Sequence, residues 1–170
     1  MQKISKNIKD TKEIAKEFLA GLDQNKKKAT VVGLYGELGT GKTAFSQAVA
    51  KLLGVKRKVN SPTFVIMKKY ELPKQEFCKN FLADKKNPVP AGENFYKTPA
   101  FKNLIHIDAY RLKNEKELLH LGWEEIISNP EHLVFIEWPE NIIKAMPKKH
   151  HQIHISHTKE GHRKFKIKKS

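Results

Sequence analysis

The sequence predicts a single α/β domain with an open sheet and a C-terminal antiparallel hairpin. A β-branched apolar run, a glycine-rich loop and an amphipathic segment follow one another over residues 29–54, which is typical of strand, loop and helix. The apolar runs 103–107 and 132–136 each end in a carboxylate, as strands lining a site in an open α/β sheet do. Residues 152–156 and 163–168 alternate in polarity around a turn. At 170 residues the chain is long enough for one well-buried domain.

A short amphipathic helix is predicted near the N-terminus. Asp10-Thr11-Lys12-Glu13 has the spacing of a capping box, which places the helix start at this point. One apolar face follows, with Gly21 near its end; its members are Ile14, Phe18, Leu19 and Leu22.

The glycine-rich loop is the strongest motif in the chain. Its residues are Gly36-Glu37-Leu38-Gly39-Thr40-Gly41-Lys42-Thr43, which fit the phosphate-loop pattern G-x-x-x-x-G-K-[ST]. The glycines allow positive φ, so that backbone N–H groups and the start of the next helix can face a polyphosphate. Lys42 would supply a point charge for the β- and γ-phosphates, and the Thr43 hydroxyl would ligate Mg²⁺. A chance glycine turn is disfavoured by the flanking strand and helix, which Gly54 is expected to end.

The segment after this helix is less regular. Pro62 disfavours helix at the preceding residue, and 65–67 is predicted as a strand. Thr63, just before it, could sense a γ-phosphate and its metal, or could simply begin the strand. Residues 71–102 are interrupted by prolines with aromatic residues between them; a helix could occupy 74–83, and the rest predicts an ordered loop or flap.

Two acids and two arginines are candidates for phosphoryl-transfer chemistry. Glu137 ends the more continuous apolar strand and is the preferred second metal contact, while Asp108 could hold a metal-bound water or orient the attacking water. Either acid could instead be a solvent-facing strand end. Arg111 and Arg163 could stabilise charge at the phosphates or form surface ion pairs.

Composition limits the setting of the protein. The formal net charge of +15 favours acidic partners, although the positive charge is mostly lysine spread along the chain, as on an ordinary solvated surface. Cys78 is the only cysteine, which excludes an intrachain disulfide. No signal-peptide or membrane-span pattern is present, so a cytoplasmic protein is expected.

Several motifs in this order resemble the TsaE family, also called YjeE. They are G-E-L-G-T-G-K-T at 36–43, S-P-T-F at 61–64, H-I-D-A-Y-R-L at 106–112, E-L-L-H-L-G-W at 117–123 and I-E-W-P-E at 136–140. The resemblance implies a single P-loop NTPase domain over 1–170 with a mixed central sheet flanked by helices and an irregular insertion at about 71–102.

The same resemblance implies a set of site residues. ATP would bind along 36–43, with Mg²⁺ on Thr43 and Glu137, and hydrolysis would need Asp108. Thr63 would lie in a switch-like segment. The remaining implied nucleotide contacts are Thr11, Trp138, Glu140 and Arg163.

The family's role implies partners as well as a ligand. Family members are ATPases needed for threonylcarbamoyladenosine (t6A) modification of tRNA, and they dock on the TsaD–TsaB heterodimer, which hydrolysis is thought to reset. Two departures stand out: the long 71–102 segment, and Thr40 where the family usually has alanine. A small-molecule kinase and a basic RNA-binding module with incidental nucleotide binding are the alternatives, and direct tRNA contact stays open.

Overall fold

The computed structural model describes residues 1–57, 59, 62, 65–73 and 101–170. Within them, seven strands form one sheet, flanked by helices α1 to α4 and a 3₁₀ segment at Pro139–Ala145. The strands are β1 (Gln2–Ser5), β2 (Thr30–Tyr35), β3 (Met67–Glu71), β4 (Asn103–Asp108), β5 (His132–Glu137), β6 (His151–His157) and β7 (Arg163–Lys168). The helices are α1 (Ile8–Ala20), α2 (Lys42–Leu52), α3 (Glu115–Leu119) and α4 (Trp123–Ser128).

The sheet is mixed, in the order β1-β7-β6-β2-β5-β4-β3. Strands β6, β2, β5 and β4 are parallel neighbours, while β3, β7 and β1 pair antiparallel with their neighbours. All six residues of β5 are buried, as its unbroken apolar run predicts for a strand covered on both faces. Because β2, β5 and β4 run the same way, their carboxyl ends meet at one edge, with Asp108 and Glu137 in register.

Helices cover both faces of the central strands. On one face, Phe18 of α1 and Phe45 of α2 pack with Phe135 of β5, with ring centroids 5.9 to 6.3 Å apart. On the other face α3, α4 and the 3₁₀ segment enclose a second apolar cluster. Its largest member, Trp123, is buried and donates its indole N–H to the Ala145 carbonyl at 3.0 Å. These two layers bury both faces of the central strands whose carboxyl ends lie at the site.

The first helix begins earlier than the sequence predicts. Asn7 is the N-cap, and its side chain accepts the N–H groups of Lys9 and Asp10. Asp10 therefore lies in the first turn and accepts the Lys6 N–H at 2.8 Å, so the capping box assigned to residues 10–13 was wrong by one turn. An asparagine cap is as favourable as a serine or aspartate cap, which is why Asn7 can start the helix.

The C-terminal hairpin is confirmed, but it is part of the main sheet. Strand β6 pairs parallel with β2, and β7 carries β1 on its outer side. The strand predicted at 65–67 is mostly wrong, because Ile66 has φ 63° and β3 begins only at Met67. Gly54, with φ 82°, follows α2 as expected. Residues 74–100, most of the expected insertion, lie outside the described residues.

Candidate active site

The loop between β2 and α2 has the backbone that the glycine pattern predicts. Gly36, Gly39 and Gly41 have φ of 139°, 77° and 103°. At Gly36 a Cβ atom would lie 2.1 Å from the Ile155 carbonyl oxygen, so a side chain does not fit there. Gly41 is the N-cap of α2 and offers no side-chain acceptor, which leaves the first N–H groups of the helix for an anion.

Lys42 crosses the mouth of the loop. Its Nζ donates to the carbonyl oxygens of Gly36 at 2.6 Å and Glu37 at 2.9 Å, and it lies 3.8 Å from the centroid of the Trp138 ring. Burial lowers the pKa of the Lys42 amine, against the opposing effect of nearby carboxylates, of which Glu137 is the largest. The amine thus lies between two carbonyl oxygens and an aromatic ring, and a phosphate could replace these partners.

Thr43 and Glu137 join the helix to the sheet. The Thr43 hydroxyl donates to Glu137 Oε2 at 2.9 Å. The other carboxylate oxygen, Oε1, lies 2.7 Å from His106 Nε2. Each oxygen of the Glu137 carboxylate therefore has a hydrogen-bond partner, and both Glu137 and His106 are buried.

Asp108 is the last residue of β4, the strand beside β5, and it lies in register with Glu137. Its Oδ1 accepts the Tyr110 N–H at 3.0 Å, while its own N–H donates to the Ile66 carbonyl at 2.9 Å. The Ala109 N–H donates to the Glu137 carbonyl at 2.9 Å, which ties the two strand ends together. Asp108 and Glu137 thus end neighbouring strands and line one cavity together with residues of the loop.

A cavity of about 400 Å³ opens where these elements meet. It is lined by Leu38, Gly39, Gly41, Lys42, Thr43, Asp108, Tyr110, Glu137 and Trp138. A hydroxyl and a buried carboxylate 2.9 Å apart form a hard oxygen donor pair of the kind that Mg²⁺ takes from a protein when phosphates and waters supply its other ligands. The donor chemistry therefore fits magnesium.

A second cavity of about 220 Å³ lies on the other side of the loop. Thr11, Thr40, Gly41 and Arg163 are among its lining residues. Thr11 is buried and its hydroxyl lies 2.8 Å from that of Ser5. The structure thus brings Thr11 and Arg163 to the loop from α1 and β7.

The remaining predicted nucleotide-site residues are Glu140 and Thr63. Glu140 is exposed on the 3₁₀ segment and is absent from the lining of both cavities. Burial raises the pKa of Tyr35 and the charge of Glu140 adds to this effect, and the same charge opposes the lowered pKa of Lys42. Thr63 lies outside the described residues.

His106 and Tyr110 were not singled out from the sequence. Tyr110 packs its ring 5.0 Å from that of Trp138, at the cavity wall. A histidine within an apolar strand does not by itself indicate a functional role. The usable signal is the spacing of His106 and Asp108, which places both side chains on one face of β4.

Comparison with known proteins now decides the family. The model of the family described as "Threonylcarbamoyl adenosine biosynthesis protein TsaE" matches residues 5–82 and 91–165. The chain belongs to the TsaE family. The family acts in tRNA threonylcarbamoyladenosine biosynthesis.

Individual TsaE relatives agree with this assignment. The tRNA threonylcarbamoyladenosine biosynthesis protein TsaE of Rickettsia prowazekii is 34% identical over 139 residues, covering 81% of this chain and 73% of the relative. The Bacillus subtilis TsaE protein is 32% identical over 159 residues, covering 94% and 79%. The crystal structure of Bacillus subtilis YdiB superposes with a TM-score of 0.62 at 24% identity, covering 98% of this chain and 83% of that one, and supports the fold.

The TsaE assignment confirms the mixed α/β fold of P-loop NTPase type, and this type of family implies nucleotide binding. None of the helices in the described ranges has the length and hydrophobicity that crossing a bilayer requires.

Proposed function

We propose that this protein is a Mg²⁺-dependent ATPase required for t6A modification of tRNA. The observation that carries the proposal is the bond between Thr43 and Glu137, 2.9 Å long, beside the buried Lys42 at a glycine loop of positive φ. Hydrolysis of a γ-phosphate requires charge neutralisation, a held metal and a positioned water; these residues offer groups for the first two, and Asp108 in the same cavity offers one for the third.

Each group has a distinct task in this proposal. The N–H groups of 36–43 and of the first turn of α2 bind the phosphates, and Lys42 leaves its carbonyl partners to pair with the β- and γ-phosphates. Thr43 and Glu137 would hold Mg²⁺, which supplies Lewis acidity at the phosphate oxygens when bound. Asp108 accepts a proton or hydrogen bond from the attacking water, and Trp138 closes the cavity over Lys42.

The remaining predicted residues serve the nucleotide or its response. Thr11 and Arg163 would contact the base and ribose side through the second cavity. Glu140 would reach the nucleotide from the 3₁₀ segment, and Thr63 would belong to the segment that senses the γ-phosphate. The whole chain would act as a single domain in the cytoplasm.

The proposed partners are the TsaD and TsaB proteins. The family's role in t6A biosynthesis supports this, and docking on their heterodimer would couple ATP hydrolysis to resetting of the synthase. Turnover by the isolated protein is expected to be slow and to rise on docking.

A mixing experiment tests the proposal. The protein is combined with TsaD and TsaB with and without ATP and Mg²⁺, and complex size and phosphate release are measured. Lys42→Ala is expected to abolish nucleotide binding, while Lys51→Ala, on the exposed side of the same helix, leaves it intact. An absence of association would reduce the claim to a generic ATPase, and an absence of nucleotide binding would overturn it.

A further inference from the structure

His106 is buried in the middle of the sheet and touches the site through one atom. It lies on β4 with no exposed surface, on the face that α2 covers, and its register partner on β5 is Phe135. Its Nε2 lies 2.7 Å from Glu137 Oε1. Because a carboxylate only accepts, the hydrogen in this bond is on Nε2.

The rest of the imidazole is poorly satisfied. His106 Nδ1 is buried and has no hydrogen-bond partner among the described residues. A buried polar atom without a partner costs free energy, and an apolar side chain at this position would avoid that cost only by leaving Glu137 Oε1 buried without its donor. Burial in the strand alone therefore does not explain a histidine between Ile105 and Ile107.

The hydrogen bond instead explains the orientation of Glu137. A glutamate has three rotatable side-chain bonds, and fixing them costs conformational entropy. With Oε1 on His106 Nε2 and Oε2 on the Thr43 hydroxyl, the carboxylate is held in one plane and in one direction. Oε2, which accepts from Thr43, would then be the oxygen available to a metal ion.

We infer that His106 is a positioning residue that fixes Glu137 so that Oε2 faces Thr43 and the Mg²⁺ of a bound nucleotide. The inference rests on the proposed function, because it gives His106 a role toward that metal. Hydrogen-bond partners of metal ligands orient them and raise metal affinity, and their loss typically costs about 10- to 100-fold in affinity.

Three substitutions separate the position of the donor from mere burial. His106→Gln places an amide nitrogen as many bonds from Cα as Nε2 and keeps the bond to Glu137. His106→Asn places its nitrogen at the Nδ1 level and loses that bond, while His106→Leu removes the donor and fills the space. His132→Leu is the matched control, because His132 is also buried in this sheet but bonds the Ile126 carbonyl, away from the loop.

Three quantities are measured for each variant: the Mg²⁺ affinity of the ADP complex, the ADP affinity without metal, and the stability by urea unfolding. Metal affinity is obtained by titration followed with tryptophan emission, and the titration is repeated with Mn²⁺ by electron paramagnetic resonance. His106→Leu and His106→Asn are expected to weaken metal binding by about tenfold or more, with metal-free ADP affinity nearly unchanged. His106→Gln is expected to restore metal binding to within about threefold of wild type. His106→Leu and His132→Leu are both expected to be less stable than wild type, the first because Glu137 Oε1 is left buried without a donor, but only His106→Leu is expected to weaken metal binding.

The outcomes are decisive in either direction. If His106→Leu fails to fold, the comparison of the glutamine and asparagine variants decides, because they differ in where the donor lies. Equal metal affinity in those two variants, or wild-type affinity in His106→Leu, would overturn the inference. Failure of the proposed function would look different, because the wild-type protein itself would then not bind ADP.

Discussion

The Thr43 hydroxyl donates a 2.9 Å hydrogen bond to Glu137 Oε2, joining the first turn of α2 to the carboxyl end of β5. These residues are 94 positions apart in the chain. They meet because β5 lies parallel beside β2, whose own end leads into the loop before α2. The contact therefore depends on sheet order, and the same order places Asp108 in register with Glu137.

Glu137→Gln should keep nucleotide and lose turnover. The amide is nearly the same shape but carries no charge, so the protein should still bind ADP through the loop while Mg²⁺ binding and hydrolysis weaken. Phosphate release should fall by on the order of a hundredfold or more, as when a charge-stabilising group is removed from a transition state. Calorimetric ADP binding and phosphate release measure the two effects.

Glu131→Gln is the control for this change. Glu131 pairs with Lys102 on the surface at 2.6 Å and lies at the opposite end of β5 from the site. Its loss should leave binding and turnover unchanged. Normal turnover in Glu137→Gln would remove Glu137 from the mechanism.

Lys42 should make stability depend on pH in the alkaline range. Burial lowers its pKa in the folded protein, so the unfolded chain holds this proton to higher pH. Between the lowered folded pKa and the ordinary value of 10.5 the unfolded state binds more protons, so folding becomes more favourable as pH rises. Relative to Lys42→Met, which has no proton to lose, wild type should gain stability across this window.

Urea unfolding of both proteins from pH 7 to pH 10 measures the effect. Lys51→Met, on the exposed side of α2, controls for loss of a positive charge. A stability difference between wild type and Lys42→Met that stays constant or moves the other way with pH would contradict the prediction.

Trp138 should report nucleotide binding by its fluorescence. The Lys42 amine lies 3.8 Å from its ring centroid, and phosphates would draw that amine away toward the loop. Adding ADP should therefore change the emission of wild type and of Trp123→Phe, but not of Trp138→Phe. Trp123 is the matched control because it is buried in the apolar cluster under α3 and α4 and lines neither cavity. A full emission change in Trp138→Phe would show that the ring does not sense the site.

The parts of the fold that could be predicted from sequence are those with strong local patterns. The apolar runs of β4 and β5 and the alternation of β6 and β7 coincide with the strands. Strand β1 reads Gln-Lys-Ile-Ser and carries no strand pattern, so it forms only because β7 offers a free edge. The late start of β3 likewise follows from Ile66, whose positive φ the sequence does not signal.

The site divides in the same way. The phosphate loop and the two acids could be predicted, because a motif and two strand ends mark them. His106 is marked in the sequence only by sharing a face of β4 with Asp108, since its role arises from a hydrogen bond across to β5 that exists only once the strands pair. Tyr110 was missed because its contact with Trp138 is between two strand-end loops.

Arg163 should contribute to nucleotide affinity without affecting the metal. It lines the second cavity with Thr11 and Gly41, and its Nη1 donates to the Gly161 carbonyl at 2.7 Å, which steadies the guanidinium at the hairpin end. Arg163→Ala should weaken ADP binding by about three- to tenfold, the loss expected for one charged hydrogen bond that is partly exposed to water. The Mg²⁺ affinity of the complex should stay the same, because Thr43 and Glu137 lie in the other cavity.

Lys164→Ala is the control for this change. Lys164 is the next residue, on the opposite face of β7, so its substitution removes the same charge outside the cavity and should not alter binding. Equal losses in the two variants would mean that the net positive charge of this region, rather than a contact in the second cavity, attracts the nucleotide.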